Sequence, residues 1–268
     1  MLTACPAPDE NDAGIFVNDG GLDAGLVTVD GGNMDAGRVT MDDGGFDAGR
    51  DIVDDAGSES TDAGVGSAGF GFLSGACDVV ATELSSSQPS LFVNFIDFGT
   101  DPYTEGADYS RLTEGGQEII DDGNAGGSSV FSEVFSYEVL ARCDDAILLK
   151  TETEVIHDVA GKITDLLVEI DGQKVGVSVT RAVGFPRDDP YTVDDATNLL
   201  VGKLDDVLES SANVSAEDAW VKQILHIIAY APEHAVSIAD AWALVDDNVR
   251  ADTIVFITVS NGDDGFLY

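Results

Sequence analysis

Positive charge is scarce in this chain: five lysines and seven arginines stand against fifty-one Asp and Glu in 268 residues. The formal net charge of -39 at pH 7 exceeds what solubility asks for, and it makes a nucleic-acid or anionic-lipid partner electrostatically unfavourable. Such crowding of like charge is best tolerated in a salty medium, where screening shortens its reach. Long apolar runs are missing as well. No stretch reaches about 18 consecutive apolar residues, so the sequence offers no membrane-spanning helix. Cysteine is limited to Cys5, Cys77 and Cys143. There is no CxxC pair, nucleophile elbow or phosphate-cradling Gly loop, which removes the chemistries those motifs carry. What is present is a hydrophobic content of 44%, enough for a core in one or two domains.

The apolar residues are unevenly placed. Met1 to Gly64 holds fifteen acids and two bases, and Asp-Ala-Gly recurs there with its Asp at Asp12, Asp23, Asp35, Asp47, Asp55 and Asp62. Between the copies, single apolar residues are separated by Gly and Asp, so no helical or strand face is long enough to bury. Closely spaced carboxylates and Gly turns suit an oxygen-ligand calcium loop, but the alternate-acid spacing of an EF-hand and the Gly-Gly-x-Gly-x-Asp nonapeptide are both absent. The segment reads as a charged linker that repels itself and extends, about 40 Å or more for sixty residues. Residues 1–74 are assigned to this linker, and 75–268 to the folded domain.

Ahead of the linker, Leu2-Thr3-Ala4-Cys5 resembles the lipobox of bacterial lipoproteins. The resemblance implies that Cys5 becomes a lipidated first residue, anchoring the protein to a membrane in a bacterial envelope, on the periplasmic or outer surface. The charged and apolar regions of a signal peptide do not precede it. Met1 is therefore expected to lie within the apolar region of a longer leader. Lipidation of Cys5 leaves Cys77 and Cys143, which either stay as thiols or pair. A disulfide between them would constrain the unfolded chain by about 4 kcal/mol in the chain-entropy account.

From Gly75 on, "LFVNFIDF" reads as a strand. "SSVFSEVFSYEVLARC" places Val130, Val134, Tyr137 and Ala141 at helical spacing behind a Ser cap. "AILLKTETEVI" alternates like a strand, and Asp171-Gly172 marks the turn of a hairpin between two β-prone runs. Thr192 caps a helix with Leu199, Leu200, Leu204 and Leu208 on its apolar face. "VKQILHIIAYA" and "DTIVFITVS" read as buried strands around the helix "EHAVSIADAWALVDD". The expected fold is α/β, with a mixed central sheet flanked by helices. His226, inside an apolar strand, reads as a satisfied core residue.

Helix, three strands, helix, strand is similar to the core of the PD-(D/E)xK nuclease-like superfamily. The resemblance implies divalent-metal phosphodiester hydrolysis, with Asp165 in the place of the family Asp. On the third strand it fails: Ser178 stands where the acid belongs and Thr180 where the Lys belongs. Strand periodicity puts Glu152 and Glu154 on one face, and Asp165 and Glu169 on one face of the next strand. These four carboxylates are the candidate ligands for magnesium or manganese. His157 and Asp158 adjoin them, and Lys174 or Arg181 is the candidate displaced cation. Without the third-strand motif, and with so few bases, the domain reads as a non-catalytic binding or structural module. It requires no cofactor, and its partner is an unknown protein or small ligand. The alternative is a metal-dependent nuclease-like hydrolase with an atypical site.

Overall fold

A computed structural model describes residues 65–67, 70–124, 129–187 and 189–267. Cys5, the Asp-Ala-Gly segment and the reading of both as tether lie outside the described residues. Among the described residues eight strands form one sheet: β1 (Val65–Ser67), β2 (Gly71–Gly75), β3 (Ser90–Asp97), β4 (Ile147–Thr151), β5 (Leu166–Ile170), β6 (Gln173–Ala182), β7 (Lys222–Ala229) and β8 (Ile254–Val259). Their spatial order is β1-β2-β3-β8-β7-β6-β5-β4. The four central strands β3, β8, β7 and β6 are parallel, and the outer pairs are antiparallel. The sheet is mixed, as the element order implies. It begins at Val65 rather than at Gly75, so the 1–74 and 75–268 division cuts through the β1–β2 hairpin. Those strands are short and Gly-rich, which hid them.

The helices are α1 (Val80–Glu83), α2 (Glu114–Asp122), α3 (Val130–Cys143), α4 (Val193–Asn213), α5 (Pro232–Trp242) and α6 (Asp247–Arg250). None among the described residues is long and apolar enough to cross a membrane. Two apolar layers result from strand alternation. Ile224, Ile228, Ile254 and Phe256 face Phe135 and Leu140 of α3 on one side. Leu225, Ile227, Val255 and Ile257 face Leu200 and Leu204 of α4 and Ile238 of α5 on the other. A fully buried side chain of this size contributes about 1.5–3 kcal/mol. Leu208 does not join its layer and lies exposed, while Val207 is buried in its place.

Local signals explain the element ends. Thr192 and Asp195 form a reciprocal capping box on α4, satisfying two of the orphan N–H groups there. Asp171 and Gly172 both take positive φ, the geometry of a two-residue hairpin turn. Helix α2, unexpected from sequence, packs on α3 because Gly115 and Gly116 leave room. A Cβ on Gly115 would meet the Tyr137 ring at 2.5 Å, and one on Gly116 would meet Glu138 Oε1 at 2.2 Å.

Strand β4 stops at Thr151, so Glu152 and Glu154 do not alternate along it. The reason is local: Thr151 O accepts from the N–H groups of Glu154 and Val155 at 3.0 and 3.2 Å, and Glu154 Oε2 accepts from the Thr151 N–H at 3.2 Å. Beyond this turn the chain is fastened to the end of α4, with Asp158 N–H donating to Asn213 O at 2.8 Å. Buried Asp218 accepts from Ile156 N–H and from Lys150 Nζ, both at 2.8 Å. A one-residue shift in register between Leu148 and Lys150 bulges β4 against β5. Cys77 and Cys143 are joined by a disulfide, which ties the end of β2 to the end of α3.

Candidate functional site

Where β5 parts from β6, Asp165 takes over the ladder. Its N–H donates to Val177 O at 3.1 Å, and its carboxylate Oδ2 accepts from the Val179 N–H at 2.6 Å. Burial is the largest influence on this group, and with the field of Glu152 it outweighs the Val179 hydrogen bond and Lys203, pushing the carboxyl up to about 6. Glu133, on the first turn of α3, belongs to the same locus. It is 2% exposed, and burial with the fields of Asp165 and Glu152 pushes it up to about 8 against hydrogen bonds from Asn124 and Ser129. Those bonds engage Oε1. Oε2 is buried and has no hydrogen-bond partner among the described residues.

Three carboxyl groups thus feel one another's charge from three elements: α3, the turn after β4, and the head of β5. Lys203 of α4 is the cation whose field reaches Asp165. In chemistry, though not in spacing, the donor set of Glu133, Glu152 and Asp165 suits a hard divalent cation, which favours carboxylate oxygen: among the described residues only Glu118, Asp122 and Glu154 bring three such oxygens within 4.8 Å of one another. The unpartnered Oε2 of Glu133 is the observation that supports the fit.

Of the four expected ligands, Glu152 and Asp165 fall in this locus and the other two do not. Glu154 points away, into an exposed group with Glu118 and Asp122 whose carboxylate oxygens lie within 4.8 Å of one another. Glu169 is paired opposite Ile147 and Lys174, near the other end of β5, about 13 Å along the strand from Asp165 at 3.3 Å per residue. The two expected cations are also elsewhere. Lys174 Nζ donates to Glu217 O at 2.6 Å, and Arg181 donates to Leu267 O. Ser178 Oγ accepts from Gln223 Nε2 at 3.4 Å. His157 pairs with Val214 in an isolated bridge.

Glu133 and Lys203 were the residues that pattern reading missed. Glu133 had a signal: it lies three residues after Val130 and four before Tyr137, inside the apolar stripe of its helix. A carboxylate there is buried by the same face that buries its neighbours. Lys203, on the polar side of α4, carries no such mark. His226 sits in the core, fully buried, between Ser136 Oγ at 2.6 Å on Nδ1 and Thr258 Oγ1 at 2.8 Å on Nε2. Burial pushes its imidazole down to about 3, so it stays neutral and serves packing.

No family model matches the chain. Over 152 residues the chain is 40% identical to the AAC-rich mRNA clone AAC4 protein of Dictyostelium discoideum, a match covering 54% of this chain and 22% of that protein. The chain thus spans less than a quarter of that relative's length. Among solved structures it is similar to Pyrococcus furiosus SfsA in complex with Ca2+, with a TM-score of 0.26 and 12% identity over 50% of this chain and 58% of the other. Neither likeness assigns an activity, and the functional reading rests on the residues themselves.

Proposed function

We propose that the folded domain is a divalent-cation-dependent phosphodiester hydrolase in which Glu133, Glu152 and Asp165 would hold magnesium or manganese. The observation that carries this reading is Glu133 Oε2, a buried carboxyl oxygen without a partner, set in the field of two further carboxylates. Buried acids that serve structure alone are paired. A cation in such a site supplies an activated water and polarises the phosphoryl oxygen. The chain's own part is to orient and to balance charge. The Val179 N–H fixes Asp165, Glu133 gives up its proton on loading, and Lys203 supplies positive field in place of a third-strand Lys. The net charge of -39 disfavours long polyanions, so the substrates that suit this surface are short phosphodiesters of low charge.

The test is turnover of bis(p-nitrophenyl) phosphate with millimolar Mn2+ or Mg2+. The wild type is expected to be active, and Asp165→Ala and Glu133→Gln inactive while still folded by thermal melting. Absence of turnover in the wild type would overturn the proposal. A second reading, a non-catalytic binding module, is favoured by Ser178 and Thr180 on β6 and by the engagement of Ser178 with Gln223. It expects cation binding without turnover.

The lipobox resemblance adds a location to either reading: lipid on Cys5, with the Asp-Ala-Gly segment as tether, would display the domain at a bacterial envelope. Expressed behind a lipoprotein leader, the chain is expected to incorporate labelled fatty acid, and Cys5→Ser to lose it. Equal labelling of both would refute the anchor.

A further inference from the structure

A cavity of about 190 Å³ lies where the C-terminal half of α4 meets the first residues of β7, and it shares no residue with the carboxylate locus. Val207, Leu208, Val214 and Val221 form its apolar walls, with Trp220 beside them and Asp252 ahead of β8. Leu208 and Val221 are themselves exposed, so apolar surface continues from the cavity to its rim. The sequence makes room for the indole. A Cβ on Gly176 of β6 would meet Trp220 Cδ2 and Cε2 at 2.8 Å, so glycine there lets the ring lie against the sheet. Its edge is fixed as well, with Nε1 donating to Ser211 Oγ at 3.2 Å.

The polar side chains in the lining are engaged within the protein. Ser211 Oγ donates to Gln223 Oε1, and Gln223 Nε2 donates to Ser178 Oγ and Ser210 Oγ at 3.4 and 3.1 Å. Lys222 Nζ donates to the carbonyls of Ser86 and Gln88, and its side chain is 0% exposed. Thr253 is buried. Asp252 differs from all of these: its side chain is 53% exposed, and its ion pair with Lys222 spans a long 3.9 Å. A guest would therefore meet apolar walls, an indole ring and one exposed carboxylate.

We infer that this cavity binds a small organic ammonium ion, held by Trp220 and the apolar walls and attracted by Asp252. An indole draws cations through its quadrupole more strongly than the other aromatic side chains do. A dry apolar cavity of about 150 Å³ accepts benzene, so this one suits an alkylammonium head of about that size. The charge of the guest follows from the field. A chain of net charge -39 concentrates cations at its surface and repels anions, and the Asp252 carboxylate supplies the local attraction. A metal ion would find too few oxygens here, and a hydroxyl-rich guest would lose water while the lining's hydrogen bonds are already engaged. This inference is independent of the hydrolase reading.

The experiment is calorimetric titration of the full chain with choline chloride at fixed ionic strength, and with 3,3-dimethylbutan-1-ol, its neutral isostere with carbon in place of nitrogen. Trp220→Leu, Asp252→Asn and Asp194→Asn are run alongside. Asp194 is exposed on the first turn of α4, about 25 Å from Ser211 at the helical rise, so its variant changes net charge equally without touching the cavity. Asp252→Asn alters an exposed group, so it reports even if Trp220→Leu unfolds. Expected is saturable choline binding in the wild type and in Asp194→Asn. Affinity should fall about tenfold in Trp220→Leu and for the neutral isostere, and about threefold in Asp252→Asn. The assignment is overturned by no saturable response in the wild type, by an isostere that binds as well as choline, or by equal affinities in the wild type and both cavity variants. Equal losses in Asp252→Asn and Asp194→Asn would also overturn it, since they would mean attraction to the net charge alone.

Discussion

Two glutamates on α3, five residues apart and both buried, are built into opposite circumstances. Glu138, 0% exposed, is fully engaged. Its Oε2 meets Arg142 Nη2 at 2.7 Å, and its Oε1 accepts from the N–H and hydroxyl of Thr113 at 2.7 and 2.8 Å. Glu133 has Asn124 and Ser129 on one oxygen and no partner on the other, with further acids facing it. The first joins α2 to α3; the second is an acid that its surroundings keep protonated up to about pH 8. What separates them is the sign of their neighbours, because a buried carboxylate is stable only when paired and hydrogen-bonded.

Removing the engaged glutamate should do the most damage. Glu138→Ala leaves Arg142 without its buried partner, at a cost of about 3–5 kcal/mol, and should lower the melting temperature by about 10 °C for a domain of this size. Gly116→Ala attacks the same contact from the other side, pressing a methyl into Glu138 Oε1. Its expected cost is about 1–3 kcal/mol by denaturant unfolding, and an unchanged midpoint would show that the α2–α3 contact tolerates repacking.

Glu133→Gln should move stability the other way. In chelator-treated protein, below about pH 4.5 both the folded and unfolded states carry the Glu133 proton. Between 4.5 and about 8 only the folded state does. Stability therefore falls as pH rises through that window, by about 1.4 kcal/mol per unit. Asp165, raised to about 6, adds a fall of the same sign below that pH. Glu133→Gln should flatten the upper part of the profile and exceed the wild type at neutral pH. A parallel profile would mean that Glu133 titrates normally. The smallest effect belongs to the exposed carboxylates: Glu118→Gln and Glu154→Gln should each change stability by less than about 0.5 kcal/mol, since water already screens their repulsion.

This contrast marks where pattern reading reaches. The central strands, α3, α4 and the Asp171-Gly172 hairpin were legible because period-2 and period-3.6 runs bury whole faces and the caps are local. Helix α2 was hidden because its docking depends on two glycines, residues that ordinarily argue against a helix. Asp165 was singled out from element order and alternation, and the structure sets it at the head of β5 with its carboxylate on the Val179 N–H. Glu154 was misplaced because a carboxylate folding back on the Thr151 N–H ends β4 five residues before the alternating stretch does, which no periodicity reveals. Glu133 and Lys203 join the locus only through the packing of α3 and α4 against the sheet, and that is tertiary information.

The bulge between Leu148 and Lys150 concerns what the protein avoids. Strand β4 forms an edge of the sheet, with Ile147 59% exposed, and a flat apolar edge is an invitation to pairing with a second chain. The register shift twists that edge out of line, and Lys150, held by Asp218 at 2.7 Å, places a rare positive charge beside it. That distortion is a safeguard against growth into fibres. Straightening β4 by deleting Leu149 should show up first as turbidity in storage.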